Sequence, residues 1–178
     1  MKIKKLTCLF IVLLVSTSVQ ISFATEKRGA AGAEKKWTPK LTDRVTDLAE
    51  IFKSEQISRL IKELAEYEQE TMHEINVLTV RSLHGESIEA FSLRVGKRWG
   101  LGLLDYDNGI LVTLAMSERK IRIELGKGME KYISDETAGE IIQRDFVPFF
   151  RQSKYYEGVQ AGLASLMKEA RKYRIPKK

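Results

Sequence analysis

The spacing of apolar residues predicts four helices. In each stretch the apolar residues recur every three or four positions, as they do on the buried face of a helix, and three stretches begin at a serine that can cap a helix. The predicted helices run from a Ser54 cap to about Glu70, from after Ser87 to Gly100, from a Ser134 cap to before Pro148, and over residues 156–173.

Three shorter stretches have the composition of β-strands. Residues 75–80 are rich in β-branched side chains, and residues 109–115 are apolar almost throughout, as a strand covered on both faces must be. Residues 120–125 alternate between charged and apolar side chains, which predicts an edge strand with one exposed face. The strand at 109–115 is therefore the predicted centre of the sheet.

The order of these elements predicts an α/β fold. A helix joins the first two strands, so they are predicted to be parallel neighbours in a βαβ unit. Only residues 116–119 separate the last two strands, which requires an antiparallel hairpin. The result is a three-layer α/β/α sandwich, with about four helices flanking a small mixed sheet.

The predicted hairpin brings two polar loops together. With its turn centred between residues 117 and 118, residues 105–109 face residues 126–130 at about 4.8 Å, the spacing of neighbouring strands. Crowded carboxylates need a counter-charge, and a hard cation such as Ca²⁺ or Mg²⁺ meets that need. The candidate ligands are Asp105, Asp107, Asn108 and Glu130, with Asp135 close behind.

Two other interpretations of these loops remain open. Arg122 or Lys127 can supply the counter-charge in place of a cation. Alternatively, residues 107–109 are only a turn that enters a strand, while Gly126 and Gly128 only adopt positive φ.

The other chemistry-bearing residues predict no further site. His73 and His84 have no second ligand at metal-binding spacing and are predicted to be loop and surface histidines. No dinucleotide-binding fingerprint is present, so no organic cofactor is expected. Gly158 and Gly162 are predicted to let the last helix pack closely.

The chain is predicted to have four parts. Residues 1–24 have the basic start, apolar run and small-residue cleavage signal of a secretory signal peptide, so a periplasmic or secreted protein is expected. Residues 25–40 are a predicted flexible linker, residues 41–170 the folded domain, and residues 171–178 a basic tail. The mature chain has no predicted transmembrane segment. It also has no cysteine, because Cys8 lies in the leader.

The net charge of +6 comes from the two ends of the chain. Residues 41–170 carry 17 basic and 22 acidic side chains, so the predicted domain is acidic. Nucleic-acid binding requires a basic face and is not expected. The basic segments are expected to aid solubility or to touch anionic membrane surfaces.

Motifs spread over residues 41–170 resemble those of the TPM domain family. They are VTD at 45–47, WGLG at 99–102, DNGIL at 107–111, RKIRIE at 119–124, GKGME at 126–130, Asp135, and Pro148 with residues 155–158. The family is named after a thylakoid lumen protein of photosystem II repair and has relatives in bacterial envelopes and animal membranes. The resemblance implies an α/β/α sandwich around a small mixed sheet.

The resemblance also implies a function. It implies a divalent-cation site on acidic loop residues, and the matching positions are Asp47, Asp107, Glu130 and Asp135. Acid phosphatase activity is attributed to the plant branch of the family, whereas other members are accessory proteins of membrane complexes.

Two function classes follow. We favour a cation-binding interaction module that uses the acidic loops to recognise an envelope or membrane protein. The alternative is a metal-dependent, phosphatase-like hydrolase of phosphomonoesters. It would use Asp47 or Asp107 as nucleophile or metal ligand, Glu130 or Asp135 as second ligand or general acid, and Arg122 to hold the phosphate.

Overall fold

The computed structural model describes residues 36–173, so the predicted signal peptide and most of the predicted linker lie outside the described residues. The strands are β1 (Val45–Asp47), β2 (Glu74–Val80), β3 (Gly109–Ala115) and β4 (Lys120–Leu125). The helices are α1 (Ser54–Thr71), α2 (Ile88–Trp99), α3 (Asp135–Ile141), α4 (Val147–Phe150) and α5 (Tyr155–Ala170), and a π-helical segment, Ile142–Phe146, joins α3 to α4.

The sheet confirms the predicted α/β fold and adds one strand to it. Its order is β1-β2-β3-β4, with β1, β2 and β3 parallel and β4 antiparallel to β3. All seven residues of β3 are buried, as expected for the central strand of a sheet covered on both faces. The register of the hairpin is the predicted one, since Ile110 pairs with Leu125. Strand β1 was not predicted.

Helices cover both faces of the sheet. The larger apolar cluster lies on the face covered by α1, α3 and α5, and the smaller one lies on the face covered by α2. Helix α1 connects β1 to β2, and α2 connects β2 to β3, in the same direction across the sheet. Because α1 and α2 lie on opposite faces of the sheet, these two crossover connections have opposite handedness. One of them is therefore of the uncommon left-handed type.

The helix starts agree with the serine caps at two of three positions. The Ser87 and Ser134 hydroxyl groups accept bonds from the N–H groups of Ala90 and Thr137, as predicted. At α1 the prediction is wrong by one residue. Lys53 is the N-cap, and its N–H donates to the Gln56 side chain at 2.9 Å.

Pro148 does not end the third helical stretch. The helix widens into its π-helical segment, where the N–H of Val147 donates to the C=O of Ile142, and Pro148 then lies in the first turn of α4. Proline is tolerated there because the first N–H groups of a helix have no partner in the helix.

Residues at both ends of the described chain form hydrogen bonds with the helices of the domain. Near the predicted linker's end, the Trp99 indole donates to the C=O of Pro39 at 2.8 Å, and the Arg94 guanidinium donates to the Thr38 hydroxyl at 2.6 Å. At the start of the predicted tail, Arg171 donates to the Glu70 carboxylate at 2.9 Å. None of the helices within residues 36–173 combines the length and apolar character needed to cross a membrane.

Candidate functional site

The loop before β3 and the loop after β4 lie against each other at the amino end of the parallel strands. The N–H of Gly126 donates to the C=O of Gly109 at 2.8 Å, and the N–H of Gly128 donates to the C=O of Asp107 at 3.0 Å. The Asp107 carboxylate accepts a further bond from the N–H of Lys127 at 3.2 Å. Asp107 is thus fixed by the opposite loop while it remains exposed.

The two glycines of the second loop allow the backbones to touch. Their φ angles are not positive, whereas Asp107 adopts a φ of 44°. A Cβ at Gly126 would collide with the carbonyl group of Asp107, and a Cβ at Gly128 would collide with that of Tyr106. The expectation that these glycines only adopt positive φ is therefore wrong.

Asn108 holds the first loop in place. Its side chain is fully buried, its Oδ1 accepts from the N–H of Leu103 at 2.8 Å, and its Nδ2 donates to the C=O of Met72 at 2.6 Å. The Glu74 carboxylate assists by accepting from the N–H of Gly102 at 2.7 Å. Because both ends of its amide are engaged by the backbone, Asn108 is a positioning residue of this loop.

The other acidic candidates of this end are exposed. Asp105 and Glu130 lie on the two facing loops, and Asp135 is the first residue of α3. Arg122 lies 3.5 Å from the Asp135 carboxylate and 3.0 Å from that of Glu124. Arg122 is therefore paired with Glu124 and Asp135, and these two ion pairs do not involve Asp105, Asp107 or Glu130 on the facing loops.

Asp47 lies at the other end of the sheet. It pairs in register with Thr79, whereas Glu74, at the start of β2, pairs with Gly109. Five residues at about 3.3 Å each separate these two positions of β2, or roughly 16 Å.

The Asp47 carboxylate is also fully engaged. Its oxygens accept from the N–H groups of Ile51 at 3.2 Å and Phe52 at 2.9 Å, and from the Thr79 hydroxyl. The four-residue cation set implied by the family resemblance is thus not brought together. Within residues 36–173, no three His, Cys, Asp or Glu side chains are close enough to hold one metal ion.

The sequence reasoning did not identify an apolar patch beside the acidic loops. Seven large apolar side chains are exposed within residues 36–173, and four of them belong to this end of the sheet. Leu104 is fully exposed, and Met72, Leu103 and Tyr132 are each about 40% exposed. We call these four residues, together with Asp105, Asp107 and Glu130, the amino-end surface. The only sequence signal was a pair of leucines between Gly102 and an acidic turn.

His73 lies in the loop between α1 and β2, as predicted, but it is buried and contacts the amino-end surface through stacked rings. It is fully buried, its Nδ1 lies 3.2 Å from the Tyr67 hydroxyl, and its ring stacks on Tyr173, which in turn stacks on Tyr132. Burial lowers the pKa of His73, and the positive charge of Arg171 acts in the same direction. The imidazole is therefore held neutral in the folded protein.

We expect His73 to make the domain less stable at acidic pH. An unfolded histidine takes up a proton below about pH 6.5, whereas the buried one resists it, so the unfolded state binds more protons in that window. Stability should fall as the pH drops from 6.5 towards the lower pKa of the folded state. Urea unfolding at pH 7.5 and pH 5 should show a smaller loss for His73→Gln than for the wild type. The exposed His84→Gln serves as control, and an equal loss in all three proteins would contradict this role.

The fold and the two facing loops define a small α/β domain that presents an acidic and apolar surface at one end of its sheet. The sequence profile of the TPM domain matches residues 45–169, so this chain belongs to the TPM domain family. A comparison with curated proteins finds no match.

Solved structures support the same fold. An N-terminal domain from P. gingivalis is 27% identical with a TM-score of 0.69, and the match covers 77% of this chain and 89% of that domain. The BA42 protein of the psychrophilic bacterium Bizionia argentinensis is 19% identical with a TM-score of 0.62, covering 72% and 88%. An N-terminal domain from Corynebacterium glutamicum is 17% identical with a TM-score of 0.57, covering 76% and 88%.

Proposed function

We propose that this protein is an exported interaction module that assists envelope or membrane protein complexes through its amino-end surface. The observation that carries the proposal is the concentration of exposed apolar side chains there, with the fully exposed Leu104 among them. Single exposed apolar residues are common on monomers, whereas a group of them rimmed by polar residues marks an interaction site. The export signal predicted in residues 1–24 supports a location outside the cytoplasm.

The chemistry of the surface selects its partner. Asp105, Asp107 and Glu130 lie at the same end of the sheet as these apolar side chains and are exposed. Opposite charges at the rim of an interface steer association and reject wrong partners. The partner is therefore a protein segment that presents apolar side chains flanked by lysine or arginine.

Replacing Leu104 by aspartate should weaken capture of the partner at least tenfold, because a central apolar contact is lost and a charge is buried in its place. The measurement compares immobilised wild-type and Leu104→Asp protein in capture from the organism's own envelope extract, followed by the dissociation constant of the purified partner. Leu93→Asp is the matched control, since Leu93 is an exposed leucine of α2. Equal capture by all three proteins would exclude the amino-end surface.

A divalent cation is part of the proposal. Asp107 offers the hard oxygen ligands that Ca²⁺ and Mg²⁺ prefer, and it is already fixed by the opposite loop. We therefore place the cation on Asp107, with at most one further acidic side chain, because no three within residues 36–173 are close enough to share an ion. Calorimetric titration with Ca²⁺ and Mg²⁺ should give saturable heat that Asp107→Asn removes and that Glu55→Gln, an exposed change on α1, leaves intact. The absence of heat with both cations for the wild type would remove the cation from the proposal.

The hydrolase alternative has less support. It uses Asp47 and Asp107 as interchangeable nucleophile or metal ligand, but the Asp47 oxygens are occupied by two N–H groups and a hydroxyl. If the protein hydrolyses phosphomonoesters, turnover should depend on a divalent cation and should be lost in Asp107→Asn. A rate that is the same in both proteins would count against catalysis.

A further inference from the structure

An open cleft lies at the turn between β3 and β4, away from the amino-end surface. Its walls are the start of α2, the turn itself, and the chain from the π-helical segment to the start of α5. We call it the turn cleft. Its volume is about 860 Å³, within the range of about 300–1,000 Å³ that small-molecule sites occupy. It lies at the carboxyl end of β3, and open α/β sheets bind ligands at that end of their parallel strands.

The turn cleft is basic, although the domain as a whole is acidic. Arg119, Lys120 and Arg151 line it and are exposed, and neither arginine forms an ion pair within the described part of the chain. One carboxylate, that of Glu89, shares the lining. A hydrogen bond from its own backbone N–H, with help from Ser87 and the charge of Lys120, keeps the pKa of Glu89 below its usual value. Three cations therefore face one anion.

The rest of the lining is largely apolar. Six apolar side chains line the cleft and are only partly buried, so part of the apolar surface of each one faces the cleft. They are Met116, Ile121, Ile142, Val147, Phe150 and Tyr155. Two lining residues, Ile142 and Gln143, come from the π-helical segment, a conformation that is rare in proteins and is often found at functional sites.

We propose that the turn cleft binds a monomeric amphipathic carboxylate of the fatty-acid type. The guanidinium groups of Arg119 and Arg151 hold the carboxylate, because their planar fork matches its two oxygens, while the apolar wall receives the hydrocarbon chain. Lys120 adds positive charge to the head-group end. This site does not depend on the amino-end surface, so variants at Leu104 leave it unchanged.

The test is a calorimetric and NMR titration of the purified protein with dodecanoate below its micelle concentration. Binding should saturate at one dodecanoate per protein and should shift resonances of residues 115–121 and 142–155. The double variant Arg119→Gln/Arg151→Gln should bind at least tenfold more weakly. The matched control is Lys97→Gln/Arg98→Gln, which removes two exposed cations from the end of α2 and should change the affinity less than twofold.

Several outcomes would overturn the proposal. The first is that dodecanoate shows no saturable binding, and the second is that the control double variant binds dodecanoate as weakly as Arg119→Gln/Arg151→Gln. The third is that dodecanol or dodecyltrimethylammonium binds with the same affinity as dodecanoate, because binding would then come from the hydrocarbon chain alone. Binding to phosphatidylglycerol vesicles without binding to monomeric dodecanoate would identify a membrane contact instead. Circular dichroism of both double variants checks that they remain folded, which is expected because all four side chains are exposed.

Discussion

Replacing Gly162 by alanine is expected to destabilise the domain by about 3 kcal/mol, as over-packing of a core does. Gly162 is buried in α5, where a Cβ would overlap the ring of Phe146. Phe146 is itself fully buried in the π-helical segment, so its ring cannot move aside without disturbing the core on that face. Urea unfolding followed by circular dichroism measures the loss.

Gly96→Ala provides the matched control. Gly96 also lies inside a helix, but a Cβ there would meet no atom within 4 Å. Alanine should therefore stabilise α2 by up to about 1 kcal/mol through its helix propensity alone. If both variants change stability in the same direction, close packing at Gly162 is not the reason for its glycine.

The β3–β4 hairpin shows which part of this fold the sequence determines. The strict alternation along β4 fixes which side chains face the core, and a shift of one residue would turn Ile121 and Ile123 outward. The short connection leaves only an antiparallel pairing, and the turn closes without an Asn-Gly pair because Arg119 adopts a φ of 51°. Local pattern and connection length were therefore sufficient to predict the register.

The position of Asp47 shows what the sequence does not determine. Strand β1 has only three residues, which is too short for any period of apolar residues, and it exists because it pairs with β2. Asp47 ends a parallel strand, whereas Asp107 precedes one, so the two carboxylates belong to opposite ends of the sheet. Without β1 in the predicted topology, Asp47 and Asp107 appeared equivalent as acidic loop residues.

His73 and Leu104 show the same limit at the level of single residues. His73 follows Met72 in a polar stretch, and it is buried by Tyr67 and Tyr173, the latter distant in sequence. Leu104 is exposed in a loop that the Asn108 side chain ties to the C=O of Met72, distant in sequence. In both cases burial is decided by long-range contacts that no local pattern contains.

Replacing Asn108 by alanine is expected to cost about 3 kcal/mol and to loosen the loop that carries Leu104. The change leaves the N–H of Leu103 and the C=O of Met72 without partners, and an unsatisfied buried polar group costs about 1–3 kcal/mol. Hydrogen exchange at residues 101–108 should accelerate, and capture of the partner should weaken with it. Asp105→Ala, in the same loop but exposed, should change stability by less than about 0.5 kcal/mol.

Asn108→Asp separates a positioning role from a ligand role. Aspartate keeps the acceptor for the N–H of Leu103, but it loses the donor and sets a carboxylate against the C=O of Met72. As a positioning residue, Asn108 should tolerate aspartate no better than alanine, with or without Ca²⁺, since a buried unpaired charge is costly. If Asn108→Asp is as stable as the wild type and binds Ca²⁺ more tightly, Asn108 is a cation ligand and the loop is held by other contacts.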